Sequence, residues 1–149
     1  MDIKERLWKY EGDQQYQTFK GYFRQGKFFP YQDSLGYLTV GAGHLVQNGE
    51  DFSDGLTPIE ADLLLAKDIE IAKSGLKSLD LGRIPQDWQD FLIIMIFQLG
   101  LQGVRNFRKM IEAIKVKDWP EAVRQARDSK WYKQTPNRVN DMIYQLKNR

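Results

Sequence analysis

The chain has 149 residues, of which 42% are hydrophobic and 28% charged, a size and composition typical of one soluble globular domain. It contains no cysteine, which excludes disulfides and thiolate catalysis. Its single histidine leaves too few ligands for a transition-metal site, so we expect neither a metal nor another cofactor.

Charge is uneven along the chain. Residues 101–149 carry 12 Lys/Arg and 5 Asp/Glu, so their net charge is +7, whereas residues 1–100 have a net charge of −5. A basic half favours an anionic partner, or it forms solvated helix faces. The basic residues are scattered among acids, so a nucleic acid is not expected. The longest apolar run, 91–97, is too short to cross a bilayer, so stable membrane insertion is not expected.

The first predicted helix spans residues 2–11. Asp2 with Glu5 three residues later resembles a capping box, and Gly12 is a natural stop after the last turn. Glu11 therefore lies at the C-terminal end of a helix, where the helix dipole disfavours a negative charge. A surface glutamate that tolerates this position is the alternative interpretation.

Residues 13–30 interleave aromatic and basic side chains, with Gly21 and Gly26 as breaks. This pattern predicts an additional hairpin or a loop that leads into a strand. Aromatic rings here either stack on sugars or on a partner, or they cover a small sheet.

A β-hairpin is predicted next. Asp33-Ser34-Leu35-Gly36 is typical of a type I turn, with strand-like residues 28–32 before it and 37–40 after it. In such a hairpin Asp33 and Thr39 can face one cleft.

The rest of the chain is predicted to be helical. Thr57-Pro58-Ile59-Glu60 starts a helix that ends near Gly75, and helices follow at 106–115, from 118 and from 135. The segment from Gln86 is apolar on nearly every face, which predicts a buried central helix at about 86–98. We therefore expect a predominantly helical α+β fold in a single domain (1–149). It would have an N-terminal helix (2–11), a small antiparallel β lobe (about 13–56) and a helical lobe (57–149).

Two carboxylates, Glu11 and Asp33, are the residues best suited to catalysis. Glycoside hydrolysis needs one carboxyl group that stays protonated and a second that acts on water or on the sugar cation. Glu11 suits the acid, Asp33 in a polar turn should stay ionised, and the Thr39 hydroxyl could hold a water molecule. From spacing alone this is a weak signal.

Several motifs resemble the T-even phage lysozymes, glycoside hydrolase family 24. The similarity begins at Glu11-Gly12, continues through 31–45 and through 97–100, and is densest in Ser129-Lys130-Trp131-Tyr132-Lys133-Gln134-Thr135-Pro136-Asn137-Arg138. The resemblance implies a lysozyme-like fold and an inverting hydrolase of the β-1,4 bond between N-acetylmuramic acid and N-acetylglucosamine in peptidoglycan. The chain would act as a monomer.

The resemblance also implies a role for each site residue. Glu11 would be the general acid, and Asp33 with Thr39 would activate the attacking water. Arg138 would orient Glu11. The substrate-binding residues would be Gln98, Trp131 and Leu45, with core packing as the alternative for Trp131. His44 and Asp68 would form a structural salt bridge.

Two departures from the family pattern affect this transfer. The segment between Glu11 and Asp33, residues 12–32, is longer than in the family pattern, which indicates an insertion after Glu11. The stretch 44–57 is shorter than in the family. An insertion that obstructs the cleft would favour a different class of protein, a catalytically weak virion-associated or wall-binding lysozyme-like module. A third hypothesis keeps the chemistry on another glycan, such as chitin.

The expected location follows from the N-terminus and the resemblance. Residues 1–6 lack the apolar core of a signal peptide, so we expect the protein to stay in the host cytoplasm. It would reach the periplasmic peptidoglycan through a holin-type pore, as phage endolysins do. A virion-associated copy that digests the wall during infection is the alternative.

Overall fold

The computed structural model describes residues 1–147. The chain forms two compact units, one from Met1 to Glu70 and one that begins at Ile71. Helices dominate, and two small antiparallel sheets lie in the first unit. The predicted α+β, mainly helical fold is therefore confirmed.

The first unit carries all the strands described. Its elements are α1 (Ile3–Glu11), α2 (Gln14–Lys20), β1 (Phe23–Arg24), β2 (Lys27–Phe28), β3 (Tyr31–Gln32), β4 (Leu38–Val40), β5 (His44–Leu45) and the first part of α3 (Pro58–Ser78).

Helix α1 confirms the prediction from the capping pattern. The Asp2 carboxylate accepts a hydrogen bond from the Glu5 N–H at 2.9 Å, and so satisfies one of the free N–H groups of the first turn. The helix ends at Glu11 because Gly12 leaves the helical conformation with φ 102°. Glu11 is therefore the last helical residue.

The segment after Gly12 corrects the prediction. Residues 14–20 are helical, although the sequence predicted only hairpin or loop within a β lobe from 13 to 56. Asp13 accepts a hydrogen bond from the Tyr16 N–H at 2.9 Å, and Gly21 in the left-handed region with φ 83° ends the helix. Both termini thus use ordinary capping chemistry, which is hard to detect around only seven residues.

The predicted strand from 28 to 32 is divided in two. Phe28 belongs to the β1–β2 hairpin, where it pairs with Phe23, and it also bridges to Leu56. Tyr31 begins the second sheet, which has the order β3-β4-β5. Pro30 separates the two segments because it has no N–H to donate to a strand partner.

The core of the first unit joins both sheets to helix α3. Phe28, Val40, Leu56 and Ala61 are buried, and the Trp8 ring of α1 lies 5.2 Å from the ring of Phe28. Lys4 on α1 also forms an ion pair with Asp62 on α3. These contacts hold α1 against Phe28 of β2 and against α3.

Helix α3 starts as predicted. The Thr57 hydroxyl accepts from the Glu60 N–H, and a Glu60 carboxylate oxygen accepts from the Thr57 N–H, so the capping box is complete. The predicted stop at Gly75 is wrong, because the helix continues to Ser78. Gly75 lies inside the helix, where a Cβ would make an ordinary van der Waals contact with a methyl carbon of Ile96 at 3.4 Å.

The second unit consists of helices. They are the end of α3, α4 (Gln86–Arg105), α5 (Arg108–Lys115), α6 (Trp119–Arg127), α7 (Lys130–Gln134) and α8 (Pro136–Tyr144). Residues 91–96 of α4 are all buried, which confirms the predicted central helix. Gly100, with φ 77°, interrupts the regular helix two residues after Gln98. The short helix α7, capped by the Ser129 hydroxyl, was not predicted.

Two features are absent from residues 1–147. No helix there combines the length and the apolar character that a bilayer-spanning segment needs. The same residues contain no group of three or more His, Cys, Asp or Glu side chains placed to hold a metal ion.

Candidate active site

The predicted hairpin turn is present between β3 and β4. The Gly36 N–H donates to the Asp33 carbonyl at 3.0 Å, and the Asp33 N–H donates to the Tyr37 carbonyl at 2.9 Å. The strands then pair in a register that sets Tyr31 opposite Thr39. The turn therefore fixes which face of the sheet carries Asp33.

Asp33 and Thr39 are held by the same residue. Asp33 Oδ1 accepts hydrogen bonds from the N–H groups of Leu35 and Tyr37, each at 2.9 Å. The Thr39 hydroxyl donates to the Tyr37 carbonyl at 3.0 Å, and its side chain is buried. The main chain of Tyr37 thus orients both the candidate base and the candidate water-binding hydroxyl.

One face of the three-stranded sheet collects the candidate residues. Thr39 pairs with Tyr31 on one side and with Leu45 on the other, so these three side chains form a row across the strands. Asp33 follows Tyr31 by two residues and belongs to the same face. Leu45 is exposed at the edge of this row, and its contact with sugar stays a prediction.

Glu11 reaches this region through Gly43, in the turn that joins β4 to β5. A Cβ atom at Gly43 would lie 2.7 Å from Cγ, Cδ and Oε2 of Glu11. The Glu11 side chain therefore rests directly on the backbone of Gly43. The structure brings the predicted acid to the end of the strand that carries Thr39, in spite of the insertion.

Tyr31 connects the two carboxylates. The pKa of its hydroxyl is raised to about 12, mostly by burial and in smaller part by the nearby acidic groups of Glu11, Tyr22, Asp33 and Tyr16. Both Glu11 and Asp33 are therefore close enough to act on Tyr31, whose hydroxyl stays protonated at neutral pH. Sequence reasoning missed this residue, although its position two residues before Asp33 placed it on the same face.

Gln17 braces the site from helix α2. Its side chain is completely buried, and Nε2 donates to the Gly12 carbonyl at 2.8 Å and to the Gly41 carbonyl at 2.9 Å. Gly12 follows Glu11, and Gly41 precedes the turn on which Glu11 rests. Gln17 therefore connects the residue after Glu11 to the turn on which Glu11 rests. The sequence did not predict this role, because α2 itself was not predicted.

Replacing Gln17 with leucine should lower the free energy of unfolding by about 1–3 kcal/mol. The substitution leaves the buried Gly41 carbonyl and the partly buried Gly12 carbonyl without the donor that they share. Urea denaturation measures the loss. Gln15→Leu is the matched control, because Gln15 is exposed on the same helix and should change stability by about 0.5 kcal/mol or less. Equal stabilities of the two variants would contradict the bracing role.

His44 lies between two carboxylates. Its Nδ1 is 2.7 Å from Asp68 Oδ2 on α3, as the resemblance predicts, and its Nε2 is 2.9 Å from Glu50 Oε1, a partner not predicted. The hydrogen bond to Asp68 raises the pKa of His44 most, and Glu50 adds to it against the opposing effect of burial. The Gln47 N–H and His44 in turn lower the pKa of Glu50.

These shifts predict a pH-dependent stability. The raised pKa of His44 contributes stability that is complete below 6.5 and is lost as the pH rises through its folded value. The lowered pKa of Glu50 contributes stability that is complete above 4.5 and is lost as the pH falls. Urea denaturation at a series of pH values should therefore place the largest joint contribution between these limits. Asp68→Asn should flatten the alkaline side, and an unchanged slope in that variant would contradict the assignment.

The remaining predicted residues lie in the second unit. Trp131 is buried, with its ring edge-on to Phe91 and to Phe107 at 6.1 Å each, and its Nε1 donates to Gln98 Oε1 at 3.0 Å. The surroundings of Trp131 are therefore those of a core residue, which was the alternative interpretation. A buried ring offers no face for direct stacking on sugar. The binding role of Gln98, and that of Arg138 on α8 toward Glu11, stay predictions.

A helical α+β fold with two carboxylates gathered around a short antiparallel sheet defines a lysozyme-like protein. The chain belongs to the phage lysozyme family, whose sequence profile matches residues 23–149. The match covers the hairpin with Asp33 and Thr39 and extends through both compact units from residue 23 on, whereas Glu11 lies before it. Family membership makes the chain a lysozyme-type hydrolase.

Individual relatives support the same conclusion. The chain is 28% identical to "Probable T4-type lysozyme 1" of Dictyostelium discoideum, over 76% of this chain and 82% of the relative. It is 30% identical to the "Pre-baseplate central spike protein Gp5" of Enterobacteria phage T4, over 74% of this chain but 24% of that protein. It is 34% identical to the "Peptidoglycan hydrolase gp36" of Pseudomonas phage phiKMV, over 78% of this chain and 13% of that protein.

Proposed function

We propose that this protein hydrolyses the β-1,4 bond between N-acetylmuramic acid and N-acetylglucosamine in peptidoglycan, with inversion at the anomeric carbon, as a single lysozyme domain. Membership of the phage lysozyme family supports the reaction class. The observation that carries the proposal is the gathering of Glu11 and Asp33 around Tyr31, with Glu11 against Gly43.

Glu11 is the general acid in this proposal. It donates its proton to the glycosidic oxygen, so that the leaving sugar departs as a neutral alcohol while the bond to the anomeric carbon breaks. The position of Glu11 supports this role, because its side chain rests on Gly43 and Gln17 holds the main chain of the next residue, Gly12.

Asp33 and Thr39 act on the attacking water. Asp33 accepts one proton from the water as the water oxygen bonds to the anomeric carbon from the opposite side of the ring. The Thr39 oxygen accepts a hydrogen bond from the other hydrogen, which stays on the new anomeric hydroxyl. The two hydrogen bonds to Asp33 Oδ1 and the one from Thr39 support this assignment, because they fix both groups before substrate binds.

Product analysis tests the proposed reaction. Purified protein should release fragments from peptidoglycan sacculi, and borohydride reduction of these fragments should give muramitol from the new reducing ends. Proton NMR during digestion of a soluble oligosaccharide should show the α anomer first. Glucosaminitol as the reduced residue would overturn the bond assignment, and the β anomer first would overturn inversion.

A role within a phage particle is the second candidate function. The relative named as a central spike protein favours it, because this chain resembles a portion of that protein. A catalytically weak wall-binding module predicts sedimentation with sacculi without release of reducing ends. Release at ordinary enzymatic rates excludes the weak module, and mass spectrometry of purified particles then tests for a virion copy against release into the host cytoplasm.

A further inference from the structure

The insertion places an exposed tyrosine next to the proposed acid. Helix α2 directs the Tyr16 ring onto Gly12, where an added Cβ would lie 2.9 Å from Cδ1 and 3.3 Å from Cε1 of the ring. Gly12 directly follows Glu11. The Tyr16 side chain nevertheless remains 52% exposed, so it covers the helix end with one part of the ring and presents the rest to solvent.

A second aromatic feature lies beside the first. The rings of Tyr22 and Tyr31 stack with their centres 4.2 Å apart and their planes within 3° of each other. The main chain of Tyr22 is fixed on both sides, because its N–H donates to Gln17 and its carbonyl accepts from Phe29, each at 2.8 Å. The insertion therefore holds an aromatic ring, that of Tyr22, in a fixed position against Tyr31 on the face of the sheet that carries the candidate residues.

The tyrosines and the catalytic carboxylates share one location. The ring of Tyr22 stacks on that of Tyr31, and Glu11, Asp33 and Tyr16 are near enough to raise the pKa of the Tyr31 hydroxyl. We call Tyr16, Tyr22 and Tyr31 the tyrosine cluster. Two of its three members, Tyr16 and Tyr22, come from residues 13–30, the aromatic and basic segment that departs from the family pattern.

We propose that the tyrosine cluster is a saccharide-binding subsite next to the cleaved bond, in which the exposed ring of Tyr16 stacks on a pyranose ring of the glycan strand. This inference rests on the proposed function. A pyranose has an apolar face of C–H groups and an edge of hydroxyls, which match the ring face and the hydroxyl of a tyrosine. The position of the tyrosine cluster identifies a glycan as its ligand, because a glycan cleaved by Glu11 must pass the residues that adjoin Glu11.

The insertion thereby gains a function. It extends the cleft with aromatic surface and does not merely obstruct it, so the affinity for glycan depends on a ring at position 16. A ring that only covered Gly12 would be replaceable by any apolar side chain of similar size. Leucine and phenylalanine at this position therefore separate a binding role from a packing role.

Binding is measured in the Glu11→Gln protein, so that substrate is not consumed. Isothermal titration with soluble peptidoglycan oligosaccharides compares Glu11→Gln with double variants. Adding Tyr16→Leu should raise the Kd about three- to tenfold, and adding Tyr16→Phe should leave it nearly unchanged. In the enzyme with Glu11 intact, Tyr16→Leu should raise KM with little change in kcat. Tyr144→Leu is the matched control, because Tyr144 on α8 is also an exposed tyrosine, at 83% exposure, and does not belong to the tyrosine cluster.

The outcomes separate this inference from the proposed function. Undiminished affinity in Tyr16→Leu overturns the subsite, while hydrolysis by the parent enzyme leaves the function standing. If the parent releases no reducing ends and the Glu11→Gln protein binds no oligosaccharide, both fail. Should Tyr16→Leu not fold, NMR of ¹³C-labelled tyrosine rings in the Glu11→Gln protein replaces it, and a Tyr16 signal unmoved by bound oligosaccharide overturns the subsite.

Discussion

Replacing Glu11 with glutamine should reduce the rate of peptidoglycan hydrolysis by about 10²- to 10⁴-fold. An amide has nearly the size and shape of the carboxyl group, so the contact with Gly43 is kept. It cannot give up a proton to the glycosidic oxygen, and the leaving sugar must then depart as an alkoxide. Release of reducing ends from sacculi measures the loss, and thermal unfolding shows whether the fold is retained.

Glu5→Gln is the matched control for this substitution. Glu5 lies on the same helix and is exposed in its first turn, so the control makes the same chemical change away from the site. Its activity should equal that of the parent protein. Hydrolysis by Glu11→Gln at the rate of Glu5→Gln would remove Glu11 from the mechanism and leave the proton donor to another residue.

The sequence predicts well those elements whose signals are local. The capping boxes at Asp2 and Thr57 each satisfy their own helix ends, so they need no information from elsewhere in the chain. The turn from Asp33 to Gly36 is equally self-contained. The central helix could be predicted because an all-round apolar segment has no stable place except inside.

The short helices α2 and α7 could not be predicted in the same way. A helix of five or seven residues is unstable alone, and tertiary contacts decide whether it forms. In α2 that contact is Gln17, which binds carbonyl groups of Gly12 and Gly41. The end of α3 shows the reverse case, because Gly75 looks like a stop in the sequence but lies inside a helix that continues to Ser78.

The residues of the candidate site also divide into those that the sequence predicts and those that it does not. Residue type and resemblance suffice to name Glu11, Asp33 and Thr39, because their chemistry is carried by the side chains themselves. Gln17 and Tyr31 act through what surrounds them, and those surroundings depend on a helix and a strand pairing that the sequence did not reveal. The support of the site is therefore less predictable than its reactive groups.

Replacing Gly43 with alanine should lower the rate of hydrolysis by about 100-fold. The new methyl group would lie 2.7 Å from three atoms of Glu11, so the acid must move, and a displacement of about 1 Å has an effect of this size. The substitution also strains the backbone, because φ at Gly43 is 73°. Steady-state kinetics on soluble oligosaccharides, with thermal unfolding alongside, separates the two effects.

Gly26→Ala isolates the backbone strain. Gly26 has φ 75°, and nothing lies within 4 Å of the position that its Cβ would take. Both variants should therefore lose a similar amount of stability from backbone strain, about 1–2 kcal/mol. Only Gly43→Ala should also lose activity, and it should lose further stability because its new methyl group collides with Glu11. Adding Glu11→Ala to Gly43→Ala removes the atoms in contact, so the double variant should regain that additional loss. If it remains as unstable as Gly43→Ala, the Glu11 side chain does not rest on Gly43, and the placement of the proton donor at the end of β4 is wrong.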